Sequence, residues 1–191
     1  MDADTPLVAD CRRGVSGAFE TLLDRYERPV FNVALRMVNN TEDARDITQS
    51  VFLKAFEHLN SYDSRFRFYS WIYRIAVNES LNFIKKYQGH DEPLGGDHPS
   101  PERSPEDAAS QADLGQLIRE GLMALKSEHR AVIVLKHFRG FSYREIGTIL
   151  DLPEKTVKSR LFSARKFLRQ ALCANGAFEL TDGKWLKTSL S

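Results

Sequence analysis

The sequence predicts an all-α protein: two small helical domains joined by a flexible linker, the C-terminal one a helix-turn-helix. Three observations predict it. Apolar residues recur at helical spacing towards both ends of the chain, without the alternation that marks strands. A stretch without apolar periodicity, YQGHDEPLGGDHPSPERSPEDAASQA (residues 87–112), carries four prolines, three glycines and many acids, the composition of a linker. Finally, FSYREIGTILDLPEKTVKSRLFSARKFLRQ (residues 141–170) holds two short helical patterns separated by a tight turn, the second lined with Lys and Arg.

The elements follow in order. Ser16 is placed to cap a helix reaching Val38, and Pro29 should kink it by removing one backbone donor. Thr41 is an N-cap candidate for a second helix, with Glu42 and Asp43 where the helix dipole favours negative charge. A third helix runs from Ser70 to Lys86. Beyond the linker, helices are expected at 113–125, 127–138, 142–150 and 154–172. Ser142 and Glu145 have the spacing of a capping box. Gly147 permits a close backbone approach, Leu152 anchors the turn, and Pro153 suits a helix start. These elements divide the chain into an N-terminal domain (1–87), a linker (88–112), a C-terminal domain (113–172) and a weakly patterned tail (173–191).

A length of 191 residues suits one mid-sized domain or two small ones. No run of about 18 apolar residues marks a membrane span, and the acidic N-terminus is unlike a secretory signal. Cys11 and Cys173 stand in no metal-ligand spacing, so a reduced, cytoplasmic chain is the simplest expectation. No glycine-rich phosphate loop, metal spacing or nucleophile–base pair is evident, and neither catalytic residues nor a cofactor are expected. The net charge of +1 conceals an asymmetry. Residues 91–120 hold two Lys/Arg against eight Asp/Glu (−6), whereas residues 121–191 hold thirteen against six (+7). Residues 61–90 are also basic, five against two (+3). Two basic zones flanking an acidic one point towards a polyanion.

Three faces carry the candidate chemistry. On a helical wheel of 154–169, Val157, Leu161, Ala164 and Leu168 form a core side. Lys155, Lys158, Ser159, Phe162, Lys166 and Arg169 lie opposite. Amphipathicity alone favours a solvated helix; the capping box, short turn and basic second helix together reverse that and favour DNA. A helix fits the major groove, cations neutralise phosphates, and Lys158 and Ser159 near the helix start are placed to reach base edges. Phe162 suits a thymine methyl contact, or else packs on a neighbouring helix. In YDSRFRFYSWIYRIAVNESLNFIKK (62–86), Trp71, Arg74, Asn78, Asn82 and Lys85 share one stripe of the third helix. Asn is unfavourable mid-helix, and two at i, i+4 share a face able to donate to and accept from a base. Aromatic and cationic neighbours suit unstacked bases, although Tyr73 reads as core and Phe66 and Phe68 as loop fasteners. On the second helix, Asp46, Gln49 and Leu53 face outwards, with Phe52 and Phe56 at the edge of that stripe. Apolar residues ringed by acids fit a protein partner, or a solvated face with one stray Leu.

These stretches resemble the extracytoplasmic-function class of bacterial sigma factors. DARDITQSVFLKAF resembles the segment that grips polymerase, FYSWIYRIAVNESLNFIKK the element that reads and opens the −10 region, and LKSEHRAVIVLKHFRGFSYREIGTILDLPEKTVKSRLFSARKFLR the domain that reads the −35 region. The resemblance covers most of residues 16–172. It implies that Asp43, Asp46, Gln49, Phe52 and Leu53 contact RNA polymerase core, that Asn78 and Asn82 help hold an extruded base, and that Lys158, Ser159 and Phe162 read duplex. It implies promoter DNA, both duplex and single-stranded, and an anti-sigma protein as partners, with no membrane. Lys158 stands where such proteins often carry Arg, which removes bidentate guanine recognition. The alternative is a stand-alone helix-turn-helix regulator whose N-terminal half senses or dimerises; a helical adaptor without a DNA role is the other.

Overall fold

A computed structural model describes residues 4–88 and 107–174. All regular structure among them is helical. Four helices come first: α1 (Thr5–Arg12), α2 (Ala18–Val38), α3 (Thr41–Glu57) and α4 (Phe68–Gln88), with a short 3-10 turn at Leu59–Ser61. The second set is α5 (Asp107–Met123), α6 (Ser127–Ile133), one wide π-type turn (Val134–Phe138), α7 (Tyr143–Leu150) and α8 (Glu154–Ala174). No helix among the described residues is long and apolar enough to cross a membrane.

The expected helices are present, with shifted ends. α1 was not anticipated. Its Arg12 guanidinium donates to the carbonyls of Leu59, Asn60 and Tyr62, pinning the loop before α4. α2 starts after Gly17, whose φ of 81° a residue such as Ser16 would rarely adopt, and it continues through Pro29. Asn40, not Thr41, caps α3: its side chain accepts from the backbone N–H groups of Glu42 and Asp43. α5 begins at Asp107, inside the stretch read as linker, where Ala108 and Ala109 favour helix. Residues 89–106, most of that linker, and the tail from 175 lie outside the described residues.

In the first half, the core is laid down by Val30, Val33, Ala34 and Met37 of α2, Ala44, Ile47, Val51 and Ala55 of α3, and Ile72, Tyr73, Ala76 and Val77 of α4. In the second half, Ala131–Leu135, Ile146, Ile149, Val157, Leu161, Ala164 and Leu168 do the same. The two cores are continuous. Joined burial of this kind was not foreseen from two short domains on a tether.

Arg130 is the polar counterpart of that continuity. It is 6 % exposed and donates to the carbonyls of Leu122, Met123 and Leu125 at the end of α5 and to Met37 at the end of α2. Helix C-termini leave carbonyls without partners, so a guanidinium fork fits this junction. Burial brings its pKa down to about 10, which keeps it charged at neutral pH.

In the helix-turn-helix, Ser142 caps α7 in a full capping box with Glu145. Asp151 takes the left-handed conformation, with φ 56°, that closes α7. A Cβ on Gly147 would lie 2.7 Å from the Leu152 carbonyl, so the turn folds back directly onto the α7 backbone. Gly147→Ala should therefore cost about 1–3 kcal/mol, read as a lowered urea midpoint, because the opposing atom is backbone.

His137, in the π-type turn, accepts through Nε2 from Arg165 Nε at 3.2 Å. Burial, with Arg165 and Lys136 nearby, holds its pKa down at about 4. An unfolded histidine takes its proton near pH 6.5, so between those values the unfolded chain binds more protons and stability falls as pH drops. Denaturant midpoints should decline from pH 7.5 to 5, and His137→Gln should flatten the decline.

Candidate nucleic-acid interface

The face of α8 away from the core is built as its sequence requires. Val157, Leu161, Ala164, Leu168 and Leu172 are buried against α5, α6 and α7. That packing fixes the helix rotation, and Lys155, Lys158, Ser159, Phe162, Lys166 and Arg169 all emerge exposed. Phe162 is 74 % exposed, which removes the alternative that it packs on a neighbouring helix. An isolated aromatic among cations has no role in the core. Lys158 is already engaged: its Nζ lies 2.7 Å from Glu154 Oε1 and 5.7 Å from the Tyr143 ring centroid. The Glu154 hydrogen bond raises its pKa. Ser159 Oγ donates back to the Thr156 carbonyl at 3.0 Å.

On α4, burial of Ile72, Ala76, Val77 and Ile84 turns Asn78, Asn82 and Lys85 outwards. Trp71 and Arg74, at the start of the same stripe, are only half-exposed. Trp71 packs at 5.4 Å from the Tyr62 ring and 5.6 Å from the Phe68 ring. Its remaining surface lines a cleft of about 330 Å³ with Ser61, Tyr62, Asp63, Phe66, Ser70 and Arg74. Thr148 and Asp151 from the helix-turn-helix close the cleft's far side. The loop 61–66 was not read as a site. Tyr62 is buried and its hydroxyl donates to the Phe66 carbonyl at 2.5 Å, while Phe66 is 52 % exposed. The only sequence signal was the aromatic–basic interleaving that made Phe66 and Phe68 look like fasteners. Phe68 is one, at 1 % exposure.

The two halves meet beside this cleft. Arg74 donates to the Thr148 carbonyl, and Tyr69 donates to Glu145. The Tyr69 ring stacks on Phe141 at 5.4 Å with 10° between planes, and Phe141 meets Tyr73 edge-on at 5.2 Å. Glu145 is held below the usual carboxylate range, first by the Tyr69 hydroxyl and then by Ser142. Burial pushes Tyr73 up to about 12. The Tyr73 hydroxyl and Arg139 Nε find no hydrogen-bond partner among the described residues, although the Arg139 guanidinium lies 5.2 Å from the Tyr73 ring centroid. Arg36, stacked on Phe138 at 4.2 Å, has its pKa lowered by burial and by Arg139.

The outward stripe of α3 departs from expectation at one position. Asp46, Gln49 and Leu53 are exposed and Asp43 partly so, but Phe52 is 7 % exposed and belongs to the core. The winding of α3 places Phe52 one position after Val51, on the side that faces α2 and α4. Phe56, 63 % exposed with its edge on Phe19 at 5.1 Å, is the aromatic on the outer side. Leu53 is 61 % exposed, so the apolar outer patch is real.

Two family descriptions match the chain: Sigma-70 region 2 over residues 22–89, and Sigma-70, region 4 over residues 115–168. The chain is 30% identical over 184 residues to the RNA polymerase sigma-H factor of Pseudomonas aeruginosa, covering 90% of this chain and 95% of that one. It is 32% identical over 176 residues to the ECF RNA polymerase sigma factor SigW of Bacillus subtilis, covering 86% and 94%. Its fold is similar to that of CnrH in complex with the cytosolic domain of CnrY, with a TM-score of 0.71, 26% identity, and coverage of 91% of this chain and 99% of that chain.

Proposed function

This chain belongs to the extracytoplasmic-function sigma factors of the sigma-70 family, and from that membership we propose that its halves divide promoter recognition between paired and unpaired DNA. The chain is a promoter-recognising sigma factor whose partners are RNA polymerase core and promoter DNA. In the division we propose, the half up to α4 binds core and opens the −10 element, the stretch between α4 and α5 tethers, and the half from α5 to α8 reads the −35 duplex. No role is assigned to 173–191. Polymerase supplies the chemistry, and the work is done in the cytoplasm, where polymerase and promoter meet. An anti-sigma protein is the proposed regulator; CnrH, a fold neighbour, is held by the cytosolic domain of CnrY.

The observation that carries this division is the separation of two polar faces on different helices. On α8, Lys155, Lys158, Lys166 and Arg169 neutralise phosphates, while Ser159 and Phe162 face base edges. On α4, Asn78 and Asn82 offer amides to an extruded base, with Lys85, Arg74 and Trp71 along the same stripe. Core binding falls to Asp43, Asp46, Gln49 and Leu53 on the outer face of α3. Phe56 takes the place first given to Phe52, because Phe52 reaches that face only by leaving the core. Fixing two weak DNA contacts on one tethered chain raises their joint affinity through effective concentration. A stand-alone regulator would have no use for an exposed apolar patch ringed by acids on α3.

Run-off transcription with polymerase core and genomic promoter fragments should start at defined sites only when the chain is added; absence of any gain in start-site selectivity would refute the assignment. Replacing Asn78 and Asn82 together with Ala should impair permanganate-detected opening while −35 duplex affinity stays largely intact. Phe162→Ala should weaken −35 binding by about 1–3 kcal/mol and relax the preference at one thymine, seen by titrating duplexes in which that thymine is replaced by uracil, which lacks the methyl.

A further inference from the structure

A second cleft lies between α2 and α5, and none of its walls belongs to the faces assigned to DNA or polymerase. It encloses about 310 Å³, the size of a small-ligand site. Leu35 of α2, Ile118 and Met123 of α5 and Phe138 of the π-type turn give it an apolar surface. Its polar groups are Asn32, Arg36 and Asn39, at helical spacing on α2, and Arg119 of α5. No carboxylate is among its lining residues.

The two cations have no acid to answer them. Arg36 stacks on the Phe138 ring at 4.2 Å and donates one hydrogen bond, to the Asn32 carbonyl at 3.1 Å. Arg119 donates to Gln116 Oε1, at 2.8 and 3.1 Å, and to no other group among the described residues. The side-chain amides of Asn32 and Asn39 make no hydrogen bond among the described residues. Burial, and then the charge of Arg139, lower the Arg36 pKa, so a third guanidinium presses on a half-buried one. Cations withdrawn from water are ordinarily paired, and an unpaired set is completed by an anion. Gly115 keeps the cleft open: a Cβ there would meet only Arg119 Nη1, at 3.5 Å. Glycine is a poor helix former, and the packing of α5 does not call for it at this position.

We propose that this cleft binds an organic phosphate with a planar body, the chemistry of a mononucleotide. The phosphate lies between the Arg36 and Arg119 guanidiniums, whose planar forks match its oxygens. Two cations suit a dianion, whereas a carboxylate would answer only one of them. The base rests on Leu35, Ile118 and Met123 and turns its polar edge to the amides of Asn32 and Asn39, groups that pair with such edges. Since α2 and α5 each supply walls, the bound anion ties them together and stabilises the fold by linkage.

The test uses the full chain and the four ribonucleoside 5′-monophosphates, each titrated calorimetrically. At least one should bind saturably with a Kd near or below about 1 mM and raise the melting temperature. Inorganic phosphate and the matching nucleoside, the head and the body alone, should each bind at least about tenfold more weakly. Arg36→Gln with Arg119→Gln should weaken the nucleotide at least about tenfold. Gly115→Leu fills the space while retaining every cation, and should weaken it to the same degree. Lys155→Gln with Lys166→Gln, on α8, should leave it within about twofold, because those residues lie outside the cleft. Affinity for duplex promoter DNA should be kept in both cleft variants, which reports that they are folded; if one fails to fold, the other decides. No saturable binding of any of the four nucleotides overturns the proposal. Binding lost in the α8 variant but kept in the cleft variants also overturns it, since the nucleotide then sits on the cations that face DNA. Inorganic phosphate binding as tightly as the nucleotide would show an anion taken without its body, and the mononucleotide assignment would fall.

Discussion

Arg130 settles the most demanding problem in this fold. Two helices, α2 and α5, end beside one another, and carbonyls of their last turns lack helical donors. A single guanidinium meets three of them, at Met37, Leu122 and Met123, and the Leu125 carbonyl just beyond α5, with no ion pair to a carboxylate among the described residues. The negative ends of two helix dipoles supply the compensation instead. Removing the side chain would leave several buried acceptors unmet, at about 1–3 kcal/mol each. The path from α5 into α6, and hence the seat of α7 and α8, is set by this residue.

From that junction the rest follows by packing. α6 and the π-type turn run through the centre of the second half, and α8 lies across them with one face committed to Val157, Leu161, Ala164 and Leu168. Because that face is fixed, the opposite one has only one orientation, and the cations and Phe162 point outwards as a set. The same reasoning applies to α4, where Ile72, Ala76 and Val77 determine where Asn78 and Asn82 point. In both helices the side chains proposed to face DNA are positioned by buried neighbours one or two residues away.

Much of this was legible in the sequence because it depends on period alone. The α8 wheel, the Ser142–Glu145 capping box and the close approach at Gly147 are local properties, and all three are present. What was not legible depended on long-range contact. Arg12 gives no sign, as a lone basic residue near the N-terminus, that it clamps a loop some fifty positions later. Phe52 and Phe56 are both near the edge of one helical face, and only the packing of α2 and α4 decides which is buried. The cleft lined by Tyr62, Trp71 and Thr148 draws on both halves, so neither half's pattern contained it. Arg130 drew no separate reading in LKSEHRAVIVLKHF, because nothing local reveals where two helices end.

The ion pair between Lys158 and Glu154 bears on the charge that the outer face of α8 presents. Indiscriminate adhesion to DNA is almost wholly a matter of cations meeting phosphates. A lysine whose charge is already answered at 2.7 Å by its own helix contributes little to such adhesion. On the proposed reading, the first turn of α8 therefore brings an acid as well as a cation to the DNA, and its net charge is lower than its lysines alone suggest.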